Sequence, residues 1–462
     1  MKACVKIPIL CLILVVAIFC QLGAGTLVGQ TLTVLHTFAS ARGDGDRPVA
    51  PLVLSGNTVY GTTMWGGVSN NGTLFRINTD GTDFEMLHEF SGGLDGATVQ
   101  GGLVLSADTL YGTTAFSAFA IKTDGSGFRV LHTFVPPSTT VTNLDGDYLV
   151  GGLALSGTTL YGTTSQGGAT AEGTIFKVNT DGTGFATLYN FSSGDGFINA
   201  DGAVPYGRLV LSAGTLYGTT YFGGSGGNGT VFSMNVDGSG FKALYSFAEG
   251  GNWQFHNFVN VGGANPHAGL VLFGDMLYGT AENGGNAEGG TVFKIKTDGT
   301  GFATVDDLVL TNGVGHPYGG LALTGNTLYG AAGKIFAVNI TDYSYTELCS
   351  FTNFKTGFSP SELTKSGITL YGVTSDGGLG YGTIFSLSVP PQLSIVQVGT
   401  YTILNWPTNY AGFDYTGYSL QSTTNLVSPV WIPVAVSPSV IDGEKVVTNT
   451  ISGAQQFFRL TQ

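Results

Sequence analysis

Residues 152–191 read GLALSGTTLYGTTSQGGATAEGTIFKVNTDGTGFATLYNF, and this stretch decides the fold. It contains four short segments rich in Leu, Val, Ile, Thr, Tyr and Phe, each bounded by glycine or by Asp-Gly. Such segments indicate β-strands joined by tight turns. No later stretch has the sustained period of 3.6 residues that predicts an amphipathic helix. We therefore expect an all-β protein.

The same pattern recurs along the chain. The tripeptide Leu/Val-Tyr-Gly occurs seven times, 42 to 61 residues apart, with its tyrosine at Tyr60, Tyr111, Tyr161, Tyr217, Tyr278, Tyr329 and Tyr371. Four strands in a repeat of about 50 residues are the size of one β-propeller blade. The repeat thus predicts a seven-bladed β-propeller over residues 31–389.

The fourth strand of the repeat is present in seven copies, but one of them is displaced to the N-terminal end of the chain. Six copies follow their own Tyr-Gly strand, at Phe84–Phe90, Phe128–Phe134, Phe185–Phe191, Phe241–Phe247, Phe302–Leu308 and Tyr345–Phe351. The seventh repeat ends at Thr383–Ser388 without one, and the missing copy is Leu32–Phe38 near the N-terminus. We predict that this N-terminal strand completes the last blade and closes the ring, which removes exposed strand edges.

These units resemble a known family. Tandem copies of GLVLSGNTLYGTT, followed by Gly-Gly and Gly-Thr-Val-Phe, look like the bacterial GloVer tandem-repeat family, and the resemblance covers nearly all of residues 31–389. It implies export and varied surface anchors. The resemblance supplies no activity and no catalytic residues.

The first residues have the features of an export signal. Lys2 and Lys6 precede the apolar run Ile7–Phe19, and small residues follow, so we predict a signal peptide of residues 1–24 that is cleaved after Ala24. An uncleaved membrane anchor is the alternative, and lipid attachment at a cysteine is disfavoured because a phenylalanine precedes it. After cleavage we expect a secreted or cell-surface protein with no membrane span.

Cysteine and charge content exclude several classes of protein. Once the signal is removed, Cys349 is the only cysteine left, so no internal disulfide or cysteine-rich metal site is expected. The chain has 17 Lys and Arg against 30 Asp and Glu, a net charge of −13. Binding to the phosphates of nucleic acid is therefore excluded.

The tail after Pro390-Pro391 departs from the repeat. Residues 392–462 contain short alternating runs, which predict a small β-sandwich that resembles fibronectin type III or immunoglobulin modules. We expect Trp406 and Trp431 in its core. A spacer or adhesive role is favoured over a catalytic one.

Equivalent positions in the repeats test which residues could carry chemistry. His36, His88 and His132 share one fourth-strand position, where other repeats have Tyr, Asp or Cys, so we predict packing there and no metal site. The aspartates at 80, 124, 181, 237 and 298 lie in Asp-Gly sequences, which predict two-residue hairpins. No nucleophile elbow or phosphate loop occurs, and we expect no catalytic residue, metal or cofactor.

The strand order places the glycine-rich loops and the long connections between repeats on one side of the ring. Irregular loops on a regular scaffold are where binding sites usually lie. We predict ligand binding there, through Trp65, Tyr221, Phe222, Trp253, Phe255, Asp145 and Asp195. Aromatic rings beside carboxylates suit sugars, although the same rings could simply fill the loops.

Two functions from different classes remain open. The favoured one is an exported, non-catalytic propeller that binds a glycan or a protein partner at the cell surface. The alternative is an extracellular polysaccharide-degrading enzyme, a hydrolase or a lyase, which would need two carboxylates about 5–10 Å apart. A purely structural surface protein is the third interpretation.

Overall fold

The protein is described here from a computed structural model. It describes residues 30–39, 43–134, 143–194, 198–248, 260–309, 316–351, 358–398, 401–427, 429–450 and 456–462. The predicted export signal, residues 1–24, lies outside them. The chain divides into two compact units, one of Thr31–Ser388 with Ala411–Asp414 and one that contains Val389–Tyr410 and Tyr415–Gln462.

The large unit consists of seven antiparallel sheets, here called repeat sheets 1–7, and its described residues contain no helix. The chain starts with β1 (Thr31–Thr37). Repeat sheet 1 follows, with β2 (Val53–Ser55), β3 (Thr58–Thr63), β4 (Thr73–Asn78) and β5 (Glu85–Glu89). Repeat sheet 2 has β6 (Val104–Ser106), β7 (Thr109–Thr113), β8 (Ser117–Lys122) and β9 (Arg129–Thr133). Repeat sheet 3 has β10 (Ala154–Ser156), β11 (Thr159–Thr164), β12 (Thr174–Asn179) and β13 (Ala186–Asn190).

The next three sheets repeat this order. Repeat sheet 4 has β14 (Val210–Ser212), β15 (Thr215–Thr220), β16 (Thr230–Asn235) and β17 (Lys242–Ser246). Repeat sheet 5 has β18 (Val271–Phe273), β19 (Met276–Ala281), β20 (Glu288–Lys296) and β21 (Ala303–Val309). Repeat sheet 6 has β22 (Ala322–Thr324), β23 (Thr327–Ala331), β24 (Lys334–Asn339) and β25 (Tyr345–Ser350).

Repeat sheet 7 contains strands from both ends of the repeat region. Its later strands are β26 (Phe358–Pro360), β27 (Thr364–Ser366), β28 (Thr369–Asp376) and β29 (Thr383–Ser388). The N-terminal β1 pairs antiparallel with β29, from Thr31 opposite Ser388 to Thr37 opposite Thr383. The fourth-strand position of this sheet is thus occupied by the segment that the sequence predicted.

Apolar clusters join each repeat sheet to a neighbour. One cluster contains Tyr161 of repeat sheet 3 with Leu216 and Phe232 of repeat sheet 4. Another contains Phe38 and Tyr371 of repeat sheet 7 with Phe75 of repeat sheet 1. The last sheet therefore packs against the first, as each earlier sheet packs against the next.

A glycine in every Tyr-Gly strand makes room for this packing. A Cβ added to Gly218 would lie 2.5 Å from Cζ of Phe232 on the adjacent strand and 2.8 Å from Cδ2 of Leu209. The same contact recurs at the other six repeats. The repeat thus requires the absence of a side chain at this position.

Turns between the third and fourth strands differ from the prediction. Six residues, not two, separate β4 from β5, because Asn78 N donates to Thr82 O and Gly81 N donates to Asn78 O. Gly81 adopts a φ of 87°, which glycine tolerates best. Asp80 Oδ1 accepts hydrogen bonds from N and Oγ1 of Thr82, and these bonds lower the pKa of its carboxyl. The aspartate stabilises a longer turn.

The smaller unit has strands β30 (Ser394–Val398), β31 (Tyr401–Pro407), β32 (Asn409–Tyr410), β34 (Ser419–Thr423), β35 (Ile432–Pro433), β36 (Ser439–Ile441), β37 (Glu444–Thr450) and β38 (Phe457–Thr461). The short β33 (Phe413–Asp414) belongs to the large unit. Two sheets have the orders β30-β31-β37-β36 and β35-β34-β38.

The core of the smaller unit contains one of the two predicted tryptophans. Trp406 is 1% exposed and packs with Leu404, Leu420 and Val447. The prediction for Trp431 was wrong. This residue is half-buried and stacks against the Arg459 guanidinium, 4.4 Å from its ring centre, because it precedes a strand of only two residues, β35.

Candidate functional site

A central cavity of about 330 Å³ is lined by all seven repeat sheets. It lies where the chain enters the first strand of each sheet, on the side of the glycine-rich loops. Each sheet contributes the residue three positions before a buried leucine or its equivalent, namely Val49, Gln100, Val150, Tyr206, His267, Tyr318 and Pro360. The cavity is therefore shaped by one repeat position that changes its residue from sheet to sheet.

Aromatic side chains concentrate on one side of this cavity. The ring centres of Tyr206 and His267 lie 4.9 Å apart, and the rings of His267 and Tyr318 lie 6.0 Å apart. Tyr221, from the glycine-rich loop of repeat sheet 4, is 5.4 Å from Tyr206 and 5.9 Å from His267. His267 Nδ1 donates to Tyr318 O at 3.2 Å, and burial lowers the pKa of its imidazole. Tyr206, His267 and Tyr318 line the cavity, whereas Tyr221 contacts two of these rings and is not itself a lining residue. The four rings form an uncharged group, here called the aromatic wall.

One carboxylate lies beside the aromatic wall. Glu282, in the loop of repeat sheet 5 equivalent to that of Tyr221, accepts hydrogen bonds from the hydroxyls of Tyr221 and Tyr318. Burial raises the pKa of Glu282, and these hydrogen bonds oppose the shift. Burial and the facing carboxylate also raise the pKa of the Tyr221 hydroxyl. His316 Nδ1 donates to Glu282 O at 2.7 Å and holds the loop.

Two opposite charges meet at the inner end of the cavity. Arg208 of repeat sheet 4 and Glu362 of repeat sheet 7 approach to 3.7 Å between Nη2 and Oε1, with side chains 39% and 20% exposed. Burial raises the pKa of Glu362, and the positive charge of Arg208 opposes this. Both residues also line a second cavity of about 270 Å³ on the other side of the pair. The ion pair thus separates two cavities.

The predicted ligand residues are distributed differently. Tyr221 lies in the aromatic wall, and Phe222 packs edge-on against it at 4.7 Å. Trp65 occupies the position in repeat sheet 1 equivalent to Phe222, is half-buried, and pairs its backbone with Asp46 instead of lining the central cavity. The other predicted residues, Trp253, Phe255 and Asp195, lie outside the described residues.

Asp145, in the connection between repeat sheets 2 and 3, has a hydrogen-bond partner in the fourth strand of repeat sheet 2. Its Oδ2 accepts a hydrogen bond from His132 Nε2 at 3.2 Å. His36 pairs in the same way with Asp44 at 3.2 Å, and the Tyr189 hydroxyl donates to Asp201 at 2.7 Å. These aspartates of the connections therefore bind the fourth strand.

Each of these fourth-strand residues also contacts the next sheet. His132 stacks on Phe185 with ring centres 3.5 Å apart and an angle of 4° between the planes. Tyr189 stacks on Phe241 at 4.0 Å in the equivalent position. His36, His88 and Tyr245 make the same stack with the next sheet. The position is a packing position, and no group of three or more metal-ligating side chains occurs among the described residues.

We expect this packing to make stability depend on pH. Burial lowers the pKa of His36, His88 and His132, against the opposing charge of the paired aspartates. As pH falls below about 6.5, these histidines take up protons in the unfolded chain before they do so in the folded protein. The free energy of unfolding therefore falls by up to about 1.4 kcal/mol per pH unit for each histidine, until pH reaches the pKa of that histidine in the folded protein.

Urea unfolding at pH 7.5 and pH 5.5 measures this loss. The variant His36→Tyr/His88→Tyr/His132→Tyr should lose much less stability over the same interval, since Tyr189 already combines the stack with a hydrogen bond to aspartate. An equal loss in wild type and variant would contradict the assignment.

The sequence analysis missed most of this site. Tyr206, His267, Tyr318 and Glu282 were not singled out, nor was the Arg208–Glu362 pair. A signal was present for the pair, because the residue just before the buried leucine is Pro51, Gly102, Gly152, Gly269 or Gly320 in the five other repeats. The convergence of the aromatic residues has no such signal.

The fold and the cavity define an all-β repeat protein whose seven repeat sheets line one central cavity. The model of the Gloeobacter/Verrucomicrobia repeat matches residues 23–136 and 117–255, which together span half of the chain. The chain belongs to this family, as its repeated segments predicted. No curated protein matches it.

Several solved structures are similar at low identity. The extracellular domain of a hybrid two component system from B. thetaiotaomicron is 12% identical, with 82% of this chain and 46% of that chain covered and a TM-score of 0.49. An oligogalacturonate lyase in complex with manganese is 11% identical, with 79% and 94% covered and a TM-score of 0.47. This chain spans about half the length of the extracellular domain. These likenesses carry no argument about ligand or activity.

In the part of the chain that the structure describes, no helix combines the length and the apolar character that crossing a bilayer requires.

Proposed function

We propose that the protein is an exported, non-catalytic seven-bladed β-propeller that binds a glycan in its central cavity. The pairing of β1 with β29 and the packing of repeat sheet 7 against repeat sheet 1 support a ring closed by the N-terminal strand. The proposed domains are a signal peptide at 1–24, the propeller at 31–389 and a β-sandwich at 392–462. Secretion or display at the cell surface follows from the signal peptide.

The aromatic wall carries the proposal. Sugar rings bind by stacking their C–H faces on aromatic rings while their hydroxyls exchange hydrogen bonds with neighbouring polar groups. Tyr206, Tyr221 and Tyr318 provide both properties, and Glu282 adds an acceptor beside them. The cavity volume is near the lower end of the ~300–1,000 Å³ range of small-molecule sites. It therefore suits one or two sugar residues.

Substitution of Tyr221 tests the site. Tyr221 packs against Tyr206 and His267, which line the cavity, so its loss should disturb the rings that a sugar would contact. We expect Tyr221→Ala to weaken binding of the glycan found on an array by about fivefold, because a lost aromatic contact costs about 1 kcal/mol. The control is Asp181→Asn, in a turn at the opposite end of the strands, where Asp181 Oδ1 accepts hydrogen bonds from N and Oγ1 of Thr183. Titration calorimetry should show unchanged affinity for this variant. Loss of binding in Asp181→Asn with retention in Tyr221→Ala would place the site on the other side.

Trp65 and Phe222 test how far the site extends. Neither residue lines the central cavity, although both lie in glycine-rich loops on the same side. If a longer glycan crosses these loops, Trp65→Ala should weaken binding of an oligosaccharide but not of its terminal sugar. A protein partner is the other candidate ligand of a non-catalytic propeller. Failure to bind any glycan would favour this alternative.

An enzyme acting on extracellular polysaccharide is the second candidate. The observation that favours it is Glu282, whose raised pKa and two tyrosine neighbours resemble the setting of a general acid. We expect no release of reducing ends or unsaturated products from acidic or neutral polysaccharides. Turnover that Glu282→Gln abolishes would overturn the non-catalytic assignment.

A further inference from the structure

The position just before the buried leucine distinguishes two of the seven repeats. Five repeats have proline or glycine there, while repeat sheet 4 has Arg208 and repeat sheet 7 has Glu362. These sheets are three repeats apart in a ring of seven, so their side chains approach each other across the cavity. The pair of opposite charges thus lies at a position where the five other repeats have uncharged residues.

The arginine has unused hydrogen-bonding capacity. Its guanidinium carries five N–H donors, and the distance of 3.7 Å to Glu362 is longer than a good charge-assisted hydrogen bond of ~2.7–2.9 Å. Within the described residues, no hydrogen bond joins the Arg208 side chain to the protein. A carboxylate that entered the cavity could therefore accept two parallel bonds that Glu362 does not.

The carboxylate of Glu362 also lies close to the backbone of a neighbouring sheet. Glu362 lies against repeat sheet 6, where a Cβ added to Gly320 would be 2.5 Å from its Oε2. Burial raises the pKa of its carboxyl, and the positive charge of Arg208 opposes that shift. The other ionisable lining residues are His267, whose pKa burial lowers, and the tyrosines Tyr206 and Tyr318, whose pKa burial raises. Arg208 is therefore the one cation facing a ligand at neutral pH among the described lining residues.

The ion pair also sets how much of a ligand can enter. Because Arg208 and Glu362 separate the central cavity from the cavity beyond, a glycan that enters from the loop side meets the pair as a floor. A chain threaded through the ring would have to separate the two side chains. The floor therefore favours the end of a chain over its middle.

We propose that the central cavity binds the terminal acidic sugar of a glycan, with the sugar carboxylate on the Arg208 guanidinium and the ring against the aromatic wall. This inference rests on the proposed function, because it names the class of glycan for that same site. Glu362 is the internal anion that the ligand carboxylate displaces from Arg208.

Three synthetic trisaccharides test the inference by titration calorimetry. One consists of glucose alone, the second has glucuronic acid at the non-reducing end, and the third has glucuronic acid in the middle. Wild type should bind the end-acidic trisaccharide at least about tenfold more tightly than the neutral one, which corresponds to ~1.4 kcal/mol. The middle-acidic trisaccharide should bind no better than the neutral one.

Variants of Arg208 and Glu362 identify the residue responsible for the preference for the end-acidic ligand. Arg208→Gln should remove the preference, so that the end-acidic and neutral ligands bind to this variant with affinities within about twofold of each other. Glu362→Gln, which removes the competing charge, should strengthen binding of the end-acidic ligand. If Arg208→Gln lowers the melting temperature, Arg208→Lys serves instead, since it keeps the charge but loses the paired geometry.

The outcomes separate this inference from the proposed function. Equal affinity of wild type for the neutral and end-acidic ligands, or a preference that persists in Arg208→Gln, would overturn the acidic-end assignment and leave glycan binding intact. Tight binding of the middle-acidic ligand would overturn the end-specific part. Binding of none of the three, nor of any glycan on an array, would reject both.

Discussion

A chain that starts at Gly43, without β1, should aggregate and melt at least about 5 °C below the full chain. β1 pairs with β29 along its length, and Phe38 immediately after it is 0% exposed and packs with Phe75 of repeat sheet 1. Truncation would leave the edge of β29 unpaired and open a cavity between repeat sheets 7 and 1. Loss of a buried phenylalanine alone costs about 3–5 kcal/mol.

Differential scanning calorimetry and light scattering measure the two effects. A synthetic peptide of residues 30–39 should rescue the truncated chain, because a strand can pair with a free sheet edge from outside. The same peptide with Phe38→Ala should rescue it poorly. A truncated chain that melts at the same temperature and stays monodisperse would argue against the closed ring.

The second large effect is expected at the glycine of a Tyr-Gly strand. Gly218→Ala should destabilise the protein by about 1–3 kcal/mol or more, since the new methyl group would lie 2.5 Å from the Phe232 ring. Backbone strain does not contribute, because Gly218 is absent from the positions with positive φ. Guanidinium unfolding measures the loss.

A double variant tests that the loss is steric. Phe232→Leu removes the atom that the methyl group would meet, so Gly218→Ala should cost less in the Phe232→Leu background than in wild type. If the cost is the same in both backgrounds, contact with Phe232 is not its cause. Leu209 Cδ2, 2.8 Å from the added atom, would then be the next residue to shorten.

Local structure was predictable because the chain contains seven copies of the same segment, which can be compared position by position. The β-rich segments and the missing seventh copy at Leu32–Phe38 follow from comparison of the repeats, and the structure has strands at these places. The fourth-strand histidines were predicted to pack for the same reason. Their partners, a phenylalanine of the next sheet and an aspartate of the connection, could not be read from one repeat.

Predictions failed where a residue's setting depended on its neighbours in space. Trp431 was assigned to a core by residue type, yet it lies half-buried against Arg459 beside a strand of two residues. The Asp-Gly dipeptide indicated a short hairpin, but backbone bonds such as Asn78 N to Thr82 O lengthen the turn. In both cases the residue type or dipeptide is compatible with several local structures, and the contacts with other residues, a ring–guanidinium stack in one case and backbone hydrogen bonds in the other, select one.

By itself the sequence determined the all-β class, the seven-fold repeat and the side on which irregular loops gather, because strand periodicity and turn residues act over a few neighbouring positions. Only the tertiary structure decided which of these loops share a cavity. Arg208 and Glu362 come from distant repeats and meet because the packing of repeat sheet 7 against repeat sheet 1 curves the chain back on itself. Long-range contacts of this kind depend on the angle accumulated over all seven sheets, which no single repeat encodes.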